Sequence, residues 1–446
     1  MSFCKDFAWG VAAASYQIEG GAHEADKGLN VWDMGSATEG RIFEGHSGDI
    51  GCDHYHKFKE DIALMKELGI KNYRLSINWA RLIPAGTGVS STDGVRFYTE
   101  LMEEMKKAGI TPWITLFHWD YPYALYVKGG WLNGESSDWF ASYAETCAYL
   151  FGKYTKNFIL INEPECFVGI GHYSGGHAPF LKLPAHDVIK ITHNVLLGCG
   201  KAEKKIRAIV KDAKIGIANA YWPALPYTEN DIELAKRETF ACHKDFGAPN
   251  LWLDPLIKGK YPEEHAAWFQ ELGFAPSEED LKIIKSKFDF CGLNTYSGNP
   301  VTLKDGKPFY PAPAPSVPKT DMRWNVFPQA MYYGPKMIYE RYGLPIIYTE
   351  NGVALAEWKS LEGEINDDSR IDFLKRYLRE LHCAAQEVPI AGYFYWSFID
   401  NFEWAEGFSK KFGLVHIDYD TLARTPKKSA YFYKKVCETN GESIFE

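Results

Sequence analysis

The 446-residue chain carries 49 Lys plus Arg against 58 Asp plus Glu, a net charge of −9, and is 46% hydrophobic. That balance argues against nucleic acid and anionic membrane as partners, because both need a basic face, and favours a neutral or cationic small molecule. The nine cysteines are widely spread with no Cys-x-x-Cys, so neither a disulfide framework nor a zinc site is expected. Buried free thiols, no apolar run of membrane-spanning length and no signal-like start place the expected location in the cytoplasm.

Along the chain, Phe7 to Ala14 reads as a first strand, leading into Ser15-Tyr16-Gln17-Ile18-Glu19-Gly20-Gly21, where the glycine pair predicts a tight loop. His54 to Leu68 has apolar residues at three and four spacing and Gly69 as its stop, so it is a helix. Asn72 to Ile77 follows as a strand, and Arg74 within it predicts a buried anion nearby. The alternation then repeats: helix Asp93–Ala108, strand Ile110–Phe117 ending in His118-Trp119-Asp120, and helix Ser137–Tyr154. Next come the strand Phe158–Ile161, helix His186–Val210, strand Ile215–Asn219 and helix Ile232–Phe246. Strand Phe288–Leu293 reaches Asn294-Thr295-Tyr296, and the Pro-rich Tyr310–Pro318 reads as a loop inserted after this sixth strand. Helix Ala330–Tyr342, strand Leu344–Tyr348, helix Ser369–Glu387 and strand Ile390–Tyr395 ending in Trp396 complete the series.

Eight strands alternating with long helices imply parallel pairing through crossovers. No Gly-x-Gly-x-x-Gly follows the first strand, and no linker-like seam divides the chain. The expected fold is therefore α/β, a single (β/α)8 barrel domain spanning residues 1–446.

Chemistry in such a barrel sits where its strands end. Phe158-Ile159-Leu160-Ile161 is a fully buried strand, which Pro164 stops, so Asn162 and Glu163 are delivered to that rim. Glu350 occupies the same position after the seventh strand. Asn351-Gly352 is a strong hairpin signal, but Val353 to Glu364 offers no return strand. Two carboxylates facing one bound sugar are the minimum equipment for glycoside hydrolysis. Aromatic residues, 15% of the chain, suit the apolar face of a pyranose.

Six segments in register over essentially the whole chain carry a resemblance: Gln17-Ile18-Glu19-Gly20, Phe117-His118-Trp119-Asp120, Asn162-Glu163-Pro164, Asn294-Thr295-Tyr296, Thr349-Glu350-Asn351-Gly352 and Asn401-Phe402-Glu403-Trp404. Together they resemble glycoside hydrolase family 1, the retaining β-glucosidases. The resemblance implies that Glu163 is the general acid/base and Glu350 the nucleophile, with Arg74 and Tyr296 orienting Glu350 and keeping it ionised. It also implies that Gln17, His118, Asn162, Asn294, Glu403 and Trp404 hold the sugar over Trp396. No metal or organic cofactor is called for. On the leaving-group side, Cys166, Phe167, His172 and Trp324 are candidates, and Tyr121 and Tyr123 depart from the family pattern in a way expected to alter the entrance.

Relatives acting on 6-phosphosugars resemble this chain but carry a small hydroxyl residue where Glu403 stands and a Tyr where Phe412 stands. A carboxylate facing a phosphate is repulsive, so the expected substrate is a non-phosphorylated β-glucoside or cello-oligosaccharide. A 6-phospho-β-glycosidase and a catalytically silent sugar-binding barrel are the alternative readings, whereas a thioglucosidase would carry an amide at position 163. Galactose and fucose derivatives differ from glucose by one hydroxyl or its configuration, so exo-acting β-galactosidase and β-fucosidase activity is expected as well.

Overall fold

A computed structural model describes residues 2–446. Its centre is a closed barrel of eight parallel strands: β1 (Ala8–Ala12), β2 (Asn72–Ser76), β3 (Thr111–Phe117), β4 (Asn157–Asn162), β5 (Lys214–Ala220), β6 (Cys291–Asn294), β7 (Ile346–Asn351) and β8 (Ile390–Trp396). Each strand pairs with its neighbours in chain order, and β8 closes on β1 from Ala8 against Gly392 to Ala12 against Trp396. The crossover helices form as their sequences dictate. In Thr92–Ala108, Ser91 Oγ accepts from Gly94 N (2.9 Å), and Gly109 ends the helix at φ 72°. Phe97, Leu101, Met102 and Met105 from its inner stripe are buried.

Inside the barrel, large residues fit where their neighbours are small. Trp113, Phe290 and Phe394 meet edge to face, with Trp113 5.9 and 5.2 Å from the other two ring centres. Gly10 and Gly216 make room for them: a Cβ would lie 2.5 Å from Phe394 at the first position and 2.5 Å from Phe290 at the second. This aromatic layer lies in one cluster with Tyr296 and Trp396, so the strand ends stand on a packed floor.

The structure departs from the expectations in several places. Gln17 lies in a one-turn helix, Ser15–Ile18, and not in a loop. The helix expected over 232–246 is Ile232–Thr239 only, and at its end the Thr239 hydroxyl donates to Ala235 O and accepts from Ala224 N. Four further helical segments, Pro249–Leu253, Asp254–Lys258, Glu263–Glu271 and Glu278–Ile284, fill the space before β6. After β6, the chain forms a hairpin, Asn299–Lys304 with Lys307–Phe309, before the Pro-rich loop. A second hairpin, Val415–Asp418 with Ala423–Pro426, was not expected either.

Apart from one between Ile346 and Ile347 at the start of β7, register irregularities fall near the carboxyl ends of the strands. They lie between Ile159 and Asn162 on β4 and between Tyr348 and Asn351 on β7. Such breaks re-aim side chains at barrel rims. Gly352, whose hairpin signal the following sequence ruled out, serves a packing purpose. A Cβ there would lie 1.8 Å from Trp396 O, so glycine is required by close backbone approach between the ends of β7 and β8. Gly352→Ala should therefore cost about 1–3 kcal/mol of stability through overpacking. Chemical denaturation at pH 6 checks this, and an unchanged midpoint would refute it.

Candidate active site

The strand ends surround a cavity of about 300 Å³ whose walls include Glu163, Glu350, His118, Asn162, Tyr296, Trp396, Glu403 and Trp404. Arg74, on β2, lies behind them and is 1% exposed. Its Nη1 donates to Glu350 Oε1 (2.5 Å) and Thr349 O (3.0 Å), its Nη2 to Asn162 Oδ1 (2.5 Å), and its Nε to Thr115 Oγ1 (3.1 Å). The buried anion that Arg74 demanded is Glu350. The Tyr296 hydroxyl donates to the other oxygen, Oε2, at 2.7 Å.

Asn294 Nδ2 donates to Glu163 Oε1 (2.8 Å) and Asn162 Oδ1 (3.0 Å), while its own carbonyl oxygen accepts from Thr349 Oγ1 (2.6 Å). Asn162 Oδ1 is thus fixed by a guanidinium, which leaves its Nδ2 to donate to His118 Nε2 at 3.1 Å. His118 accepts there, and burial followed by the Arg74 charge holds its pKa well below the usual range. It is a neutral imidazole protonated at Nδ1. Its ring stacks within about 6 Å of Trp396 and Trp404, at 5.8 and 5.7 Å.

The two glutamates have opposite surroundings. Burial, then the charge of Glu350, pushes Glu163 up to about 7, and an amide is its hydrogen-bond donor from β6. Burial also raises Glu350, but the guanidinium and the phenol oppose the rise from both carboxylate oxygens. Glu350 therefore ionises first, and its charge keeps the proton on Glu163. A third carboxyl, Glu403, is pushed up to about 8 by burial and then by the other two.

Glu403 Oε2 and Gln17 Oε1 are buried without a hydrogen-bond partner. Gln17 Nε2 is committed to Phe402 O (2.8 Å) and Asn401 Oδ1 (3.1 Å), so its carbonyl oxygen is the free end. Buried polar atoms of this kind are costly unless a ligand or water completes them. An ionised carboxylate and a protonated carboxyl in one aromatic-walled cavity are equipped for acid-assisted cleavage of an acetal.

Of the residues expected on the leaving-group side, Cys166 and Trp324 line the cavity. Phe167 and His172 do not. The segment Glu165–Ser174 is π-helical, and its i→i+5 winding turns Phe167 into the core against Phe117, 5.0 Å away. His172 Nδ1–H is spent on Phe167 O at 2.7 Å. Tyr121, expected at the entrance, is also core, packed against Trp79 and Trp131. Tyr123 stacks on Tyr126 outside the cavity.

Sequence reasoning missed His177, Trp222 and Met322, all in the cavity wall. His177 packs at a tilt against Trp119, 5.4 Å between ring centres, with its Nδ1 unpartnered. Trp222 could have been found by the strand-end rule, since it lies two residues past β5. Nothing in the sequence pointed to Met322.

Comparison with known proteins agrees with this geometry. The chain is 41% identical to β-glucosidase A of Thermotoga maritima over 447 residues, 98% of each chain. It is also 41% identical to β-glucosidase A of Acetivibrio thermocellus over 453 residues, 99% of each. Its fold matches the structure of a β-glucosidase from Thermotoga maritima in complex with deoxynojirimycin with a TM-score of 0.91, at 39% identity over 99% of both chains. The description "Glycosyl hydrolase family 1" matches residues 1–442, and the chain belongs to that family.

Proposed function

We propose that the whole chain acts as one catalytic domain, a retaining β-glucosidase for non-phosphorylated β-glucosides and cello-oligosaccharides. The observation that carries this reading is the division of labour between two buried carboxyls: Glu350 held by Arg74 and Tyr296, and Glu163 held protonated beside it. Relatives named β-glucosidase over the full length support it.

In the proposed reaction Glu163 gives its proton to the glycosidic oxygen as Glu350 attacks the anomeric carbon. The bond to the leaving alcohol breaks and a glycosyl ester forms on Glu350. With that charge neutralised, the main electrostatic support for a high pKa on Glu163 is gone, and its carboxylate takes a proton from water. The water oxygen attacks the anomeric carbon, Glu350 leaves, and the sugar departs with its original configuration. His118, Asn162, Gln17, Glu403, Asn294 and Trp404 are proposed to hold the sugar over Trp396.

A non-phosphorylated glycone follows from charge. No Lys or Arg lines the cavity among the described residues, and Glu163, Glu350 and Glu403 all face it. A phosphate would meet carboxyls with no countercharge. The nine free cysteines support a reducing, cytoplasmic setting.

The enzyme should release nitrophenol from p-nitrophenyl β-glucoside, first yielding β-glucose by NMR. Glu350→Ala should lose at least 10⁴-fold in kcat, about the scale seen when a nucleophile is removed. First-formed α-glucose would rule out retention.

The pH profile should fall below the ionisation of Glu350 and above that of Glu163, near 7. Tyr296→Phe removes a donor that favours the charged form of Glu350, so the acid limb should move to higher pH. An acid limb that stays in place would separate Tyr296 from Glu350.

The same shift has a stability consequence. Folded Glu163 holds its proton to about 7, above the unfolded value of roughly 4.3, so stability falls as pH rises between the two. Glu163→Gln should raise Tm by more at pH 8 than at pH 4, by a few degrees. Equal gains at both values would show that Glu163 is not protonated in the fold.

A further inference from the structure

Glu403 and Trp404, both proposed to hold the sugar, open the short 3-10 turn Trp404–Ser409 that follows β8. Trp404 is placed by rings, with Trp119 at 4.5 Å and Trp32 at 4.6 Å. Glu403 is placed through its backbone. Its N–H donates to Gly407 O at 2.7 Å, and its own carbonyl accepts from Glu406 N at 2.9 Å. Where the Gly407 carbonyl stands therefore bears on where Glu403 stands.

Gly407 has φ 56° and ψ −137°, a conformation that glycine adopts at little cost. Its carbonyl and the N–H of Phe408 belong to one peptide group, which is planar, so the direction of either fixes the other. That N–H is answered from outside the turn: Phe408 N donates to His46 Nδ1 at 3.1 Å. The imidazole lies against Gly407, where a Cβ would come 2.5 Å from Nδ1, and its ring packs 5.4 Å from that of Phe408. The same peptide group is thus pinned from both ends, by Glu403 on one side and His46 on the other.

His46 comes from a stretch otherwise turned to solvent. Ala37–Arg41 and Phe43–Gly45 are exposed, whereas Ile42 and His46 turn inward. An acceptor at Nδ1 puts the ring proton on Nε2, which lies 3.7 Å from Glu44 Oε2. The residue does not line the cavity, so it reaches the sugar only through the turn.

We propose that His46 is a positioning residue for the glycone: by accepting the Phe408 N–H it sets the peptide group on which Glu403 hangs, and with it the affinity for the sugar. This deepens the glucosidase reading and rests on the sugar-holding role given there to Glu403.

The test compares His46→Leu, which removes the acceptor at similar size, with His46→Asn, whose Oδ1 takes the place of Nδ1. In His46→Leu, KM for p-nitrophenyl β-glucoside should rise about fivefold, the scale of one hydrogen bond, with kcat changed less than about twofold. His46→Asn should restore most of the parent KM. A KM does not depend on how much of a variant folds. Calorimetric titration with p-nitrophenyl 1-thio-β-glucoside reads the same change as a dissociation constant, without turnover. Cleavage by the parent with KM unchanged in His46→Leu, or KM raised equally by both substitutions, would overturn the positioning role and leave the glucosidase reading intact. A parent protein that neither cleaves the one glucoside nor binds the other would overturn both.

Discussion

A guanidinium buried in the wall of a barrel is tolerated only where its donors are answered, and in this chain four different residues answer Arg74. Thr115 on β3, Asn162 on β4, and Thr349 and Glu350 on β7 each take one of its N–H groups. The residue therefore ties three strands to its own and fixes two side chains on which the proposed chemistry depends. Removing one partner of such a pair costs about 3–5 kcal/mol, because the other charge is left unanswered. Here the same interaction that holds the site in place also decides which glutamate is ionised.

The consequences spread through the rim. Glu350 can carry its charge close to Glu163 and Glu403 because Arg74 and Tyr296 occupy both of its oxygens. Its neighbours pay in raised pKa values, about 7 and about 8. Backbone strain collects in the same place. Glu163 sits at φ 44°, Trp119 at φ 76° and Trp404 at φ 50°, a region that side-chain-bearing residues rarely adopt. Each is over-determined by its surroundings: Trp119 Nε1 donates to Asn162 O (2.9 Å), and Trp404 lies 4.5 Å from Trp119. A further buried network keeps the adjacent segment fixed, with Arg370 donating to Lys411 O and Phe412 O (3.1 and 3.2 Å).

The barrel and the glycone side of the cavity were legible in the sequence because each signal there has a local cause. Pro164 ends β4, a buried arginine demands an anion, and strand ends in a parallel barrel share one rim. The leaving-group side was much less legible. Phe167 and His172 point inward because the backbone after Glu165 winds with i→i+5 bonds, which residue spacing does not reveal. Tyr121 is core because Trp79, Phe117 and Trp131 surround it, a purely tertiary fact. The helix end at Thr239 sits where its side chain meets Ala224 of another segment, a contact that residue spacing does not reveal. The need for glycine at 352 was not legible for a related reason: its partner, the carbonyl of Trp396, lies on the neighbouring strand.

This contrast has a physical origin that bears on specificity. The glycone side is built from strand ends and from groups that share hydrogen bonds, so a change at one residue disturbs Arg74, Asn162, Glu163 and Glu350 together. The side lined by Cys166, Trp222 and Trp324 is built instead from a π-helical turn and from segments that follow β5 and the hairpin after β6. Trp222 and Trp324 mark the junction, 5.3 Å apart and nearly perpendicular, with Tyr296 a further 5.2 Å from Trp324. Residues on the near side of that junction are constrained by the charge balance of the cleavage step. In the proposed reaction those beyond it face the departing alcohol, so variation there can alter the leaving group without disturbing the carboxyl pair.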